Sequence, residues 1–394
     1  MKSVVYDNHS ADCDMRFLLI TDTFPPDING VARTLATLAR GLQQRGHTVE
    51  IVTTLEAGEG GEEEPFHRHT VMAMPLPGYP GLRIGFTTTW QMLALFETFK
   101  PDALYVATET PLGIASIRAA KKLGIAVVSG FHTNFQTYLE DYALPGLESV
   151  AQGLLRSIHN QTARTLTPSV DTAAMLERWG IQNVGVLGRG VDTAMFSPAR
   201  RDTALRQSWG ADDSTPVAIY VGRVAAEKNL ALLTRAFAAF REKHPQAPCV
   251  VVGDGPKLKS LQAEHPEFHY AGSRTGEDLA AHYASADVFL FPSISETFGN
   301  VVLEAMSSGL VTVAFDYAAP RLLIRPGENG LLAPFNDEEA FLGQCREAPG
   351  VWNSAPHRTA ARQAAQDLGW QRVIEQFETE LTQVIGTTSS QHPA

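Results

Sequence analysis

Two glutamates, Glu296 and Glu304, stand with seven residues between them in the segment SETFGNVVLEAMSSG, residues 295–309. The segment opens on polar residues and glycine and then runs into helix formers. The apolar run ADVFLFPS just before it, residues 286–293, reads as a buried strand. Glu296 is therefore expected on a strand-to-helix loop and Glu304 inside the following helix. The first turn of that helix, near Gly299 and Asn300, would offer free backbone N–H groups at a positive dipole end. Such an end receives anions. Carboxylates repel phosphate but accept hydrogen bonds from sugar hydroxyls. A site with both features suits a nucleotide-linked sugar.

A second segment supplies cations. GRVAAEKNL, residues 222–230, follows the apolar run PVAIYV, so Arg223 and Lys228 fall on another strand-to-helix loop. Arginine gives a planar two-pronged contact to phosphate and lysine a compact point charge. Each of these residues also has a plain structural reading. Glu304 alone would be a surface glutamate, and Arg223 with Lys228 a helix-start charge cluster around Glu227. The two segments together outweigh those readings.

Together these segments resemble the retaining family-4 (group 1) glycosyltransferases of the GT-B fold. Other stretches are similar to the same pattern: residues 23–53, GFHTNF (130–135), LTPSVDTAAMLERWG (166–180), GRGVDTAMFSP (188–198), VVGDGP (251–256) and HYASADVFLFPS (282–293). The resemblance spans residues 16–337, and within the family it leans toward GDP-mannose-dependent alpha-mannosyltransferases and sulfolipid-synthase-like enzymes. It implies that Glu304 holds the ribose hydroxyls and Glu296 the hydroxyls of the donor sugar. The neighbours Thr297, Phe298, Gly299, Asn300 and Val301 complete that donor-binding run. Arg223 and Lys228 would bind the donor diphosphate and stabilise charge on the departing nucleotide. Gly30 lies on a loop that comes close to the donor phosphate; the family usually has two glycines there, and this chain has Asn29-Gly30. His132 would lie beside the donor sugar, facing the acceptor. Gly253 would contact the donor, and residues 271–274, ending at Arg274, would frame the base. The catalytic set is thus His132, Glu296, Arg223 and Lys228. The plain readings of Gly30 and Gly253 are turn glycines, and that of His132 a structural histidine.

The rest of the chain sets the frame. Its 394 residues suit two domains, with 44% hydrophobic and 19% charged residues, as in folded globular proteins. Short apolar runs alternate with helical patterns throughout, which predicts α/β architecture: two doubly wound, Rossmann-like parallel-sheet domains facing across a cleft. Ligands in such sheets bind beyond the carboxyl ends of the strands. The expected divisions are a leader at 1–15, an N-terminal acceptor domain at 16–195 and a C-terminal donor domain at 196–369. A helix at 370–386 would cross back to the first domain, as the resemblance implies, and 387–394 would be a disordered tail. Met15 is an alternative start. A net charge of −11, from 32 basic and 43 acidic residues, argues against a nucleic-acid partner. The expected partners are a nucleotide-sugar donor and a sugar or glycolipid acceptor. Cys13, Cys249 and Cys345 form no disulfide framework, no long apolar run spans a membrane, and no signal peptide opens the chain, so the cytoplasm is the expected compartment.

No cofactor is expected, and no His/Asp/Glu group has metal spacing; Asp12-Cys13-Asp14 falls in the leader. Arg118, Lys121 and Lys122 make a small basic patch. The stripe Met92, Leu95, Phe96 and Phe99 reads as core, with a weak peripheral membrane contact as the minority reading. The resemblance favours GDP-mannose as donor, with a UDP-hexose next. A nucleotide-sugar epimerase uses the same architecture and is the rival activity. A nicotinamide oxidoreductase is excluded because VVGDGPKL lacks the third glycine of its fingerprint.

Overall fold

The computed structural model describes residues 14–27, 29–54, 65–75, 83–132, 147–296 and 298–388. In chain order the first half contributes β1 (Arg16–Ile20), β2 (Thr48–Thr53), β3 (His67–Thr70), a hairpin of β4 (Met72–Pro75) and β5 (Arg83–Phe86), then β6 (Ala103–Val106), β7 (Ala126–Gly130), β8 (Arg164–Thr167) and β9 (Val184–Val186). The second half contributes β10 (Ala218–Val221), β11 (Cys249–Val252), β12 (His269–Gly272), β13 (Val288–Phe291), β14 (Val311–Phe315) and β15 (Leu331–Ala333). The strands form a seven-stranded sheet, ordered β3-β2-β1-β6-β7-β8-β9, and a six-stranded sheet, ordered β12-β11-β10-β13-β14-β15. Both are parallel throughout; among the described residues only the small hairpin is antiparallel.

The strand sequences explain this layering. Side chains alternate across a strand. Phe17 and Leu19 of β1 enter one core with Leu35 and Leu38, while Leu18 and Ile20 enter another with Met92 and Phe96. In β10, Ile219 and Val221 face one side and Ala218 and Tyr220 the other. Each sheet thus carries helices on both faces, so its central strands are apolar at nearly every position, as in Ala103–Val106 and Val288–Phe291. The strands that sequence patterning missed are the β4-β5 hairpin and three sheet edges: β3 reads HRHT, and β9 and β15 have only three residues each. Met92, Phe96 and Phe99 are buried, and Leu95 packs beside them, so that stripe is core.

In both sheets the strand order reverses at one place, between β1 and β6 in the first and between β10 and β13 in the second. Loops leaving the carboxyl ends of such a pair diverge and open a crevice. The loops after β10 and β13 are those carrying Lys228 and Glu296.

The chain passes between the halves twice, and the two passages touch. Val191 pairs with Gly369 as an isolated bridge. Gly190 lies so close to Trp370 that a Cβ there would sit 2.7 Å from the Trp370 Cα. Beyond it the helix Trp370–Thr388 returns to the first half, where Val373, Ile374, Phe377, Leu381 and Val384 join the core of Phe17 and Tyr105. Arg164 pairs with Glu380 at 2.8 Å, and His47 with Glu378 at 2.7 Å. That helix runs to Thr388, two residues beyond its expected end, passing through Gly386 without stopping. Most of the expected leader and residues 389–394 lie outside the described residues.

Candidate active site

The second half builds its site from three loops laced by backbone bonds. Gly222 N–H donates to Val252 O at 3.0 Å, Gly253 N–H to Gly272 O at 2.8 Å, and Val224 N–H to Asp254 O at 2.9 Å. Gly253 has φ of 140°, and a Cβ there would meet Gly222 O at 1.9 Å. Only glycine lets the loops after β10 and β11 approach this closely. The approach fixes the path of the loop that carries Arg223 and Lys228.

Lys228 ends a short 3₁₀ turn, Ala226–Lys228, and its Nζ lies 2.5 Å from Glu296 Oε1. The two side chains are 19% and 15% exposed, so the pair is largely withdrawn from water. Ser293 Oγ donates to the same Glu296 oxygen at 2.8 Å, and Tyr317 OH donates to the Glu296 carbonyl at 2.9 Å. Glu296 is therefore fixed at both side chain and backbone. Arg223 is 65% exposed and reaches Glu227 Oε1 at 3.2 Å, so the helix-start charge pair anticipated as its plain reading does form.

Three residues after Glu296, Gly299 adopts φ of 97° and caps the helix Asn300–Ser307. A side chain would be strained there. The sharp turn aims the helix start toward the loop that follows β1: a Cβ on Gly30 would lie 3.8 Å from Asn300 Nδ2. The Asn29 side chain caps the helix Gly30–Gln44, accepting from Val31 and Ala32 N–H. Two helix starts, one from each half, thus meet across the cleft.

One turn further on, Glu304 accepts a hydrogen bond from Tyr283 OH at 3.0 Å. Burial pushes its pKa up to about 7; the Tyr283 hydroxyl and the Arg33 guanidinium pull the other way. Arg33, Arg40, Asn300, Glu304, Phe196 and Trp370 are among the residues lining a cavity of about 330 Å³ between the halves. An apolar wall with convergent polar groups is what a small-molecule site needs.

His132 stands at the carboxyl end of the first sheet, just after β7. Its Nε2 lies 2.8 Å from Tyr105 OH and its Nδ1 2.9 Å from Arg189 Nη2. Burial, then the charge of Arg189, then His159, hold its pKa well below 6.5, so the ring is neutral.

The structure brings Gly30, Lys228, Glu296, Gly299, Asn300 and Glu304 to the cleft. It sets Phe298, Val301 and Arg274 apart in different ways. The Phe298 ring is 2% exposed and belongs to the core, leaving only its backbone for a ligand. Val301 packs against the same core. Arg274 bonds its own helix start, to Ala271 O at 2.8 Å and Asp278 at 2.9 Å. Thr297 lies outside the described residues. Sequence reasoning missed Arg33, Tyr105, Arg189, Tyr283 and Ser293. Of these only Arg189, between two glycines in GRGVD, carries a local signal.

Among the described residues, one group offers a metal-ligand set: Glu50, His67 and His69. Strand pairing, with Glu50 opposite His67, assembles it, which is why linear spacing did not reveal it. It sits on β2 and β3, at the edge of the sheet farthest from β9.

Two facing doubly wound sheets with ligand loops at their carboxyl ends define the GT-B class of transferases. The HepE protein of Anabaena, solved in complex with UDP, superposes with a TM-score of 0.75 at 18% identity, covering 94% of this chain and 100% of that one. Two family models match: Glycosyltransferase Family 4 over residues 28–195 and Glycosyl transferases group 1 over residues 215–348. A GDP-mannose-dependent alpha-mannosyltransferase of Mycobacterium tuberculosis is 31% identical over 383 residues, 96% of this chain and 99% of that protein. The sulfoquinovosyl transferase SQD2 of Arabidopsis thaliana is 31% identical over 297 residues, covering 73% of this chain and 56% of that one. The chain belongs to the group 1, family 4 glycosyltransferases, and it is a glycosyltransferase enzyme.

Proposed function

We propose that the protein transfers mannose from GDP-mannose, with retention at the sugar carbon, to a hydroxyl of a glycolipid or lipid-linked saccharide. The observation that carries this reading is the Lys228–Glu296 pair beside the Gly299-capped helix start, 2.5 Å apart and largely buried. The choice of donor is supported by the 31% identity to the mycobacterial GDP-mannose-dependent enzyme.

In this reading the donor diphosphate takes Lys228 away from Glu296. The freed carboxylate then accepts from sugar hydroxyls, while the phosphates lie between Lys228, Arg223 and the N–H groups near Asn300. Glu304 holds the ribose hydroxyls. The bond from the sugar carbon to the diphosphate oxygen breaks, and the acceptor oxygen bonds on the same face. The departing diphosphate accepts the acceptor's proton. The protein contributes position and charge stabilisation at the leaving group. The residues at the diphosphate supply positive charge themselves, so no metal is required. The acceptor's lipid would bring the enzyme to a membrane face: Trp90 is 77% exposed with Lys122 over its ring, and no helix among the described residues is long and apolar enough to cross a membrane.

A donor screen tests the reading. GDP at 100 times its dissociation constant should stabilise the fold by about 2.7 kcal/mol. Transfer from GDP-mannose should survive EDTA and give an alpha-linked product. Stabilisation and transfer with UDP and UDP-hexoses alone would replace the donor assignment. An inverted product, or a rate restored only by added manganese, would overturn the mechanism. Epimerised donor with no transfer would reveal the rival activity.

A further inference from the structure

Both ring nitrogens of His132 are already engaged. A guanidinium only donates hydrogen bonds. With Arg189 Nη2 2.9 Å away, His132 Nδ1 must be the accepting nitrogen. The ring proton is then on Nε2, donated to the Tyr105 oxygen at 2.8 Å. Arg189 itself is 5% exposed, and its Nη1 has no hydrogen-bond partner. Burying a cation without a carboxylate beside it costs free energy. Two glycines deliver it: Gly188 and Gly190 flank Arg189, and Gly190 is pressed against Trp370 where the chain crosses between the halves. The backbone is thus pinned on one side while the side chain reaches His132 on the other.

We propose that Arg189 is a positioning residue for glycosyl transfer, locking His132 in its neutral Nε2–H form so that the histidine is a fixed wall of the cleft and takes up no second proton. The inference rests on the reading that His132 lies beside the donor sugar. A ring that took up a proton would need its Nδ1 lone pair, which Arg189 occupies, and would place a second cation against the guanidinium. Among the described residues, the titratable groups around the ring are Tyr105 in β6, Arg189 after β9, His159 at the end of the helix Leu147–His159, and Glu109 after β6, whose carboxylate lies 3.6 Å from His159 Nε2. Glu109 and His159 lie beyond direct contact with the ring, and Arg189, hydrogen-bonded to Nδ1 at 2.9 Å, is the charge in contact with it.

The test compares Arg189→Met, Arg189→Gln and Arg189→Lys with the wild type, in full-length protein. Two readouts are taken between pH 5 and 9: the nitrogen-15 signals of the His132 ring, and kcat/KM with GDP-mannose. The wild-type ring should not titrate in this range. In Arg189→Met the titration of the ring should move upward from its wild-type position, although burial still holds it below the ordinary value, and kcat/KM should gain an acid limb of about tenfold per pH unit below it. Arg189→Lys keeps the charge and should restore the wild-type acid side. Should Arg189→Met fail to fold, Arg189→Gln, with an N–H donor but no charge, carries the test through the same upward move of the ring. A ring that behaves as in the wild type without the arginine charge overturns the lock. A ring that titrates while kcat/KM stays unmoved overturns the link to transfer and the placement of His132 at the sugar.

Discussion

At the cleft end of the second sheet, Lys228 and Glu296 hold each other at 2.5 Å. At the cleft end of the first, His132 is held between Tyr105 and Arg189 at 2.8 and 2.9 Å. The sheets share one winding and reverse their strand order in the same way. Yet one site is an ion pair that a diphosphate can take apart, and the other is a hydrogen-bond set with both ring nitrogens filled. A buried ion pair gains little by itself, since desolvation cancels most of the attraction. Exchanging it for a ligand therefore costs little. On the function proposed above, the difference would give binding and charge to the second half and fixed shape to the first.

The strongest way to break this comparison is Lys228→Ala. It should lower kcat by about 10²-fold or more, the scale of losing one charge-stabilising donor, and also lower the melting temperature, because Glu296 is left largely buried without its cation. Arg223→Lys should lower kcat less, because Arg223 stands further into solvent and loses only its two-pronged contact. A kcat within a few-fold of wild type for Lys228→Ala would reduce both residues to helix-start charges.

Next is Glu304→Gln, read by calorimetry with GDP. Losing one charged hydrogen-bond acceptor costs about 1.5–3 kcal/mol. The sign of its pH dependence follows from a pKa raised to about 7. Ribose hydroxyls donate to the carboxylate, and the ionised fraction falls as pH drops below that value. Wild-type affinity should thus weaken between pH 8 and 6, and the glutamine variant should show no such slope. A wild-type slope retained in Glu304→Gln would move the titrating group elsewhere.

A smaller effect is expected at the crossing. In Gly190→Ala the new Cβ would press on Trp370, costing about 1–3 kcal/mol of stability by thermal melting. The smallest is Asp171→Asn. Asp171 bonds Ala318 N–H at 3.1 Å and pairs with Arg321, joining first half to second at a largely solvated contact. Stability should change by about 1 kcal/mol or less. A larger loss there would mean the halves are held at the rim rather than at the crossing.

Much of the second site was legible because it is local. Glu296, Gly299 and Glu304 sit on one strand, one turn and one helix, and the apolar run before them announced the strand. The partners were not legible because folding supplies them from afar. Tyr283 meets Glu304 from 21 residues away, and Arg189 meets His132 from 57. The three-residue edge strands escaped because they bury too little to leave a pattern. Phe298 misled for the opposite reason: an aromatic inside a ligand-binding run is drawn into the core by its own area.

The helix Trp370–Thr388 fixes an order of events during synthesis. Its Val373, Ile374, Phe377, Leu381 and Val384 complete the core around Phe17, Leu19 and Tyr105. Five such side chains are worth on the order of 10 kcal/mol of burial, as much as the whole net stability of an ordinary domain. The first half, though made first, cannot finish folding on its own. It must wait, apolar groove open, until the second half and the helix Trp370–Thr388 have been translated. A nascent chain of this protein would therefore be protected from proteases in reverse order, the donor half settling before the half that was translated ahead of it.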